Sequence, residues 1–214
     1  MTSILLSPYN GACKRLRAGG GRPLEIKEMA IAGAFRIIPD KYHDRRGCFF
    51  EAFRIEELRR ATGFPFQVRQ GNVSVSRRST IRGVHGTGGD SGEAKLISCA
   101  RGAVLDVVVD LRVGSPAFGT FEAAPLTEGS GELVFLVPGL GHAYQALTDD
   151  TRITYLCAEQ FVPGSQIDVN PLDPELCLPW DLSVEPVISD KDRAAPDLRQ
   201  AAASGILPRF TGPA

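Results

Sequence analysis

The strongest constraint on this chain is a succession of short β-rich runs, each cut off by glycine, proline or polar turn residues, that begins near residue 35. Phe35–Ile38, Cys48–Phe53, Phe66–Gln70, Asn72–Ser76, Lys95–Cys99, Ala103–Asp110, Glu132–Val137 and Arg152–Cys157 all read as strands bounded by breakers. In Asn72–Ser76, Val73 and Val75 alternate with Asn72, Ser74 and Ser76, the two-residue period of a half-buried strand. This regular spacing predicts a sandwich or a closed barrel. Helical periodicity is confined to two places. Arg54–Thr62 carries Ile55 and Leu58 among charged residues, and near the C-terminus Pro196 suits a first turn, Leu198 and Ala202 stand four apart, and Gly205 closes the segment. There is no α/β alternation, no glycine-rich phosphate loop after a strand and no internal repeat. The fold class is all-β with a few short helices.

With 214 residues the chain is long enough for one well-buried domain and short for two. Residues 1–28 are expected to form a flexible N-terminal tail, because Lys14, Arg15, Arg17, Arg22 and the Gly19–Gly21 run lack any apolar period and Met29 opens the first patterned segment. The domain is expected over 29–200, with a C-terminal tail over 201–214. Ile4, Leu5 and Leu6 are far too short for a signal-peptide core, and no stretch approaches the ~20 apolar residues of a membrane span. A net charge of −1 argues against a global attraction to nucleic acid or anionic membrane, so a nucleotide-bearing ligand requires a local basic cluster. The five cysteines are odd in number and widely spaced, without a C-x-x-C pair. Cys99 and Cys157 lie in apolar runs and read as buried thiols, which fits a reducing cytoplasm.

Of three histidines, two stand in marked contexts: His85 in "TIRGVHG", placed just after a strand, and His142 in "VPGLGHAYQAL", opening another. A structural role is the default for a lone histidine in a β protein. Here Arg82, Lys95, Asp106 and Tyr155 also fall in or beside strands. Asp106 sits in "AVLDVVVD", apolar on both strand faces, where an unpaired carboxylate is costly to bury. Its partner is either a backbone or arginine group, or a histidine that it orients, for which His142 is the candidate. A transition-metal site is disfavoured, since the position two after His85 is Thr87 rather than a second histidine and no cysteine cluster exists.

The segments "DRRGCFFEAF" (44–53), "RQGNVSVSRRSTIRGVH" (69–85), "AKLISCARGAVLDVVVDLRVGSPAFG" (94–119), "VPGLGHAYQAL" (137–147) and "ISDKD" (188–192) together resemble the dTDP-4-dehydrorhamnose 3,5-epimerase family, which includes deoxysugar epimerases of antibiotic pathways. The resemblance runs in order from about residue 29 to 200. It implies a cupin-like jelly-roll barrel, a double-stranded β-helix, that acts on a dTDP-linked 4-keto-6-deoxysugar without metal or redox cofactor. It further implies that His85 is the catalytic base paired with Asp192, that Tyr155 is the acid on the opposite face, and that Lys95 is the cation near the keto oxygen. His142 and Asp106 match a second polar pair. Arg46, Phe49, Glu51, Gln70, Asn72 and Arg82 match positions that hold the nucleotide and pyrophosphate, some reaching in from the partner subunit of a homodimer.

The chemistry suits these residue types independently. Protons on C3 and C5 of a 4-keto sugar are α to the carbonyl, and an imidazole whose tautomer is set by a carboxylate can take one. The enolate needs a donor or cation at oxygen, and inversion needs a second proton donor across the ring. Arginine suits pyrophosphate through its planar fork. The chain departs from the resemblance at Gly86 and Thr87, where the family has an aromatic residue and then glutamine. It departs again at Phe161, where a second tyrosine is usual and which can still stack on a base or sugar of the substrate, and at Gln166 in place of a glutamate. These departures predict that the Gly88–Gly92 stretch is more flexible and that side-chain contacts to the substrate are lost there. Competing readings are a sugar-nucleotide ketoisomerase, which typically keeps two closely spaced histidines, a non-catalytic sugar-nucleotide-binding relative, and a metal-dependent cupin.

Overall fold

The computed structural model describes residues 24–88 and 92–212; the basic, glycine-rich segment before residue 24 lies outside them. In chain order the elements are β1 (Glu25–Glu28), β2 (Ala34–Ile38), β3 (Lys41–Asp44), β4 (Gly47–Phe50), α1 (Ile55–Thr62), β5 (Gln70–Ser76), β6 (Ile81–Thr87) and β7 (Lys95–Arg101). They continue with β8 (Ala103–Asp110), β9 (Phe121–Thr127), β10 (Leu133–Leu136), β11 (Leu140–Ala146), β12 (Thr151–Cys157), β13 (Gln166–Asp168), α2 (Asp190–Arg193) and α3 (Leu198–Ala203). Six strands form one sheet in the order β1-β2-β10-β7-β12-β5, five form a second in the order β13-β6-β11-β8-β9, and β3 and β4 make a separate hairpin. The pairs within these sheets are antiparallel. Two such sheets face to face make the jelly roll that the family resemblance implies.

Three apolar layers follow from this stacking. Between the sheets, Ile97, Val134 and Ile153 of one meet Val104, Val108, Leu126 and Leu140 of the other. Outside the six-stranded sheet, Phe35, Leu96 and Phe135 are covered by Leu58 of α1 and by Phe66. Outside the five-stranded sheet, Val84, Val107, Val109 and Ala143 are covered by Leu176, Trp180, Leu198 and Leu207 of the C-terminal segment. Central strands covered on both faces must be apolar on both, which explains the apolar runs in β8, interrupted by Asp106, and in β10.

Several local differences from the sequence reading have identifiable causes. Phe66–Gln70 is not a strand as a whole: pairing begins only at Gln70. Phe66 is apolar because it packs edge-on against Phe135, ring centroids 5.2 Å apart. Cys48–Phe53 pairs only through Phe50, beyond which Glu51 engages Arg54 at the entry to α1. Pro196 lies one residue before the helix cap. Asp197 caps α3 through a reciprocal pair of bonds with Gln200, and Gly205, at φ +76°, follows the closing residue Ser204. Packing also reaches past both proposed domain limits, since β1 pairs with β2, and Ala201 and Leu207 are buried. No helix among the described residues is long and apolar enough to cross a membrane.

Candidate active site

One end of the space between the sheets is filled by the apolar layer, and the other opens as a cavity of about 470 Å³, within the range of small-molecule sites. The change follows individual strands. On β7 the inward positions pass from Lys95 in the cavity to Ile97 and Cys99 in the core, and on β12 from Cys157 and Tyr155 to Ile153. The alternation that builds the barrel therefore aims one or two polar groups per strand into the open end.

β6 reaches the cavity by breaking that alternation. Tyr144 pairs with Arg82 and His142 with His85, so three steps on β6 oppose two on β11. Arg82 and His85 both line the cavity, while Ile81 and Val84 join the outer apolar layer. The irregularity turns on Gly83, at φ +121°, where a Cβ atom would lie 2.5 Å from Ala143 Cβ and 2.6 Å from the His142 carbonyl oxygen. His85 thus lies inside a strand, not just after one.

His85 Nε2 lies 2.8 Å from Asp192 Oδ1, a contact made across 107 residues. The C-terminal segment runs back along β6, where Ile81 donates its N–H to the Val187 carbonyl, and Ser189 then caps α2 by accepting from the Asp192 N–H. Asp192 is buried. Burial alone would raise its carboxyl, but the His85 hydrogen bond and charge, the Gly83 N–H and the Lys191 ammonium outweigh burial and hold it below the ordinary carboxylate range. An ionised Asp192 accepts Nε2–H, which leaves Nδ1 as the basic nitrogen.

His142 Nε2 lies 2.7 Å from Asp106 Oδ1, with both side chains almost fully buried, so Asp106 takes the histidine rather than an arginine as its partner. His142 in turn meets Tyr155 edge-on at 5.9 Å between ring centroids. Burial first, and the neighbouring Tyr144 second, push the Tyr155 phenol well above its ordinary value, with Ser74 and Arg82 opposing. The Tyr155 phenol therefore keeps its proton through the ordinary pH range. Lys95 is half-sheltered and pairs with Glu93 at 3.1 Å. Beside it, burial and the Glu93 carboxylate push the Cys157 thiol up to about 12, so it stays protonated.

Gln70, Asn72, Arg82 and Phe161 also line the cavity, and Gln70 Oε1 accepts the Phe161 N–H at 2.8 Å. Arg46, Phe49 and Glu51 do not line it. Arg46 and Phe49 lie on or at the turn of the β3–β4 hairpin, where Phe49 is 70% exposed and Arg46 pairs with Asp44. Glu93, Asp168 and Lys191 escaped the sequence reading, although Lys191 stands inside the "ISDKD" segment. Asp168 reaches the site because β13 pairs with β6 opposite His85, placing its Oδ1 3.6 Å from Nε2. His85, Asp168 and Asp192 are grouped closely enough to hold a metal ion. The Lys191 ammonium, 2.8 Å from Asp168 and 3.8 Å from Asp192, already supplies the positive charge that these carboxylates face.

A family model described as dTDP-4-dehydrorhamnose 3,5-epimerase matches residues 28–200. The chain belongs to that family. A dTDP-4-dehydro-6-deoxyglucose 3-epimerase of Streptomyces bikiniensis is 44% identical to this chain over 182 residues, covering 85% of this chain and 93% of that protein. Among solved structures, NovW, a 4-keto-6-deoxy sugar epimerase from the novobiocin biosynthetic gene cluster of Streptomyces spheroides, superposes with a TM-score of 0.85. It has 36% identity and covers 91% of this chain and 97% of its own. ChmJ, a 3'-monoepimerase from Streptomyces bikiniensis solved with dTDP-quinovose, gives a TM-score of 0.81 at 45% identity, covering 85% and 91%.

The departures from the family pattern can now be located. Thr87, Phe161 and Gln166 line the cavity. Gly86 lines it only with backbone: a Cβ there would point at Leu111 Cδ1, 3.2 Å away, and Ile167. An aromatic residue at that position would enter the outer apolar layer, where Leu111 and Ile167 now fill the space. The exchange that alters the wall facing a substrate is therefore the one at Thr87, not the one at Gly86.

Proposed function

We propose that this chain is an isomerase that inverts C3, C5 or both of a dTDP-linked 4-keto-6-deoxyhexose in deoxysugar biosynthesis of the antibiotic-pathway kind, without a cofactor. The observation that carries this reading is the origin of the two proton-handling groups: His85, backed by Asp192, comes from the five-stranded sheet, and Tyr155 from the facing six-stranded sheet, around one cavity. A sugar ring between them meets a base on one face and an acid on the other, the arrangement that inversion requires.

In this mechanism His85 takes the α proton, the C–H electron pair moves into the enolate, and the Lys95 ammonium steadies the oxygen. The Tyr155 O–H then protonates the same carbon from the other face, leaving a phenolate and a protonated His85; before the next turnover His85 gives up that proton and the phenolate regains one. Arg82, Gln70, Asn72 and Phe161 hold the nucleotide end. We place the enzyme in a reducing cytoplasm, a reading supported by the free cysteines Cys99 and Cys157 inside the barrel.

A homodimer completes the proposal. Its support is the exposed hairpin bearing Phe49, with Arg46 and Glu51 beside it, and the edge strand β5, whose Val73 and Val75 are 64% and 53% exposed. Incubation with dTDP-4-keto-6-deoxyglucose, followed by NMR of the product, tests the reading. Inverted configuration at C3, C5 or both is the expected result, and an unchanged sugar with this substrate and its deoxygenated analogues contradicts it.

A further inference from the structure

Glu93 lines the cavity and is not used by the mechanism above. Its Oε2 lies 3.1 Å from the Lys95 ammonium, and the two side chains are only 13% and 19% exposed. Both face the cavity because strand alternation extends back past the start of β7. Ala94, between them, is fully buried in the outer apolar layer, and its carbonyl accepts the Ala158 N–H at 2.9 Å. Cys157, paired with Lys95 across β12 and β7, lines the cavity beside them with a buried thiol.

A carboxylate at this place has a cost. Lys95 is the group set at the keto oxygen, and a negative charge beside that oxygen opposes the enolate that forms there. The same carboxylate becomes useful if the substrate brings a donor to it. In a 4-keto-6-deoxyhexose, C4 lies between C3, which carries a hydroxyl, and C5, which carries the ring oxygen and a methyl group. The C3 hydroxyl is therefore the one donor on a carbon next to the ketone. Keto oxygen and hydroxyl present an acceptor beside a donor, and Lys95 with Glu93 presents a donor beside an acceptor.

We propose that Glu93 is a specificity-determining residue that accepts a hydrogen bond from the C3 hydroxyl while Lys95 donates to the C4 oxygen, so that the cavity selects 4-keto sugars that keep a 3-hydroxyl. This rests on the epimerase reading above and narrows its substrate class. A carboxylate has lone pairs to spare after meeting one ammonium, so Glu93 holds Lys95 and the sugar together. The low exposure of the pair strengthens both bonds, because water competes poorly for them.

The test is calorimetric titration of the His85→Ala protein, in which the base is gone and the ligands are not turned over. The ligands are dTDP-4-keto-6-deoxyglucose, its 3-deoxy and 2-deoxy analogues, and dTDP as the control for an intact nucleotide site. The 3-deoxy sugar should bind about thirtyfold more weakly than the parent, and the 2-deoxy sugar within about threefold of it. Adding Glu93→Gln, which keeps a weaker acceptor, should cut the 3-deoxy penalty to about fivefold, and Glu93→Leu should abolish it. If Glu93→Leu no longer binds dTDP, Glu93→Gln alone decides. Equal affinity for the parent and 3-deoxy sugars overturns the proposal. So does a thirtyfold penalty that survives in the Glu93 variants, because a carboxylate serving only as the Lys95 partner would alter all three sugars alike. If dTDP binds and none of the keto sugars does, the epimerase reading itself falls, and this inference with it.

Discussion

His85 has one nitrogen committed to Asp192 at 2.8 Å, which makes the carboxylate the element that sets its tautomer and steadies its cation. Asp192→Asn keeps the shape and removes that charge, and it should lower kcat by about 10³-fold or more in a steady-state assay, with little change in KM. The depressed carboxyl also carries a pH dependence. Its contribution is fully present above the ordinary range near pH 4 and is lost as pH falls through the lower folded value. Tyr155→Phe should weaken inversion more than exchange at the same carbon; an equal loss in both would remove Tyr155 from the acid role. The set we propose for catalysis, His85, Lys95, Tyr155 and Asp192, was legible as candidates because motif resemblance preserves residue type and order. Glu93, Asp168 and Lys191 were not, because what singles them out is spatial: an ion pair with Lys95, a pairing across β13 and β6, and an ion pair with Asp168.

At the scale of elements, alternation and breakers located β2, β5, β7, β8, β10 and β12 closely; all but β5, whose Val73 and Val75 face outward, bury apolar side chains. β13 was not legible, being three residues long, and β9 includes Pro125 within a partly exposed strand. The β6 irregularity was also hidden, because it depends on how Gly83 fits against Ala143 and His142. Gly83→Ala should destabilise the protein by about 2–3 kcal/mol by denaturant titration and misalign Arg82 with His85, because the clash is with backbone and cannot relax. A purely structural element offers a contrast at the end of β8. There Asp110 accepts from Arg112 Nε at 2.8 Å, Arg112 Nη2 at 2.7 Å and Ser115 Oγ at 2.6 Å. Burial pushes the Asp110 carboxyl up, but these donors outweigh it and hold it low. Asp110→Ala should cost about 3 kcal/mol by leaving the largely buried Arg112 without its carboxylate, and the wild-type contribution should vanish only as pH falls below the carboxylate range.

At the scale of the whole molecule, one jelly roll supplies an apolar core at one end of its interior and a chemically dense cavity at the other. The hairpin carrying Arg46 and Phe49 stands away from that cavity. If the hairpin serves a second copy, sedimentation should give twice the 23.0 kDa chain mass. Phe49→Ala should then raise KM several-fold without lowering stability, and a monomer with full activity would contradict the dimer. The claim at the centre of the account is proton abstraction by His85 from carbon α to a ketone. It is tested most directly by deuterium incorporation into dTDP-4-keto-6-deoxyglucose in D₂O, with His85→Ala beside the wild type. Label at C3, C5 or both is expected with the wild type and none above background with the variant. Equal labelling by both proteins would contradict it.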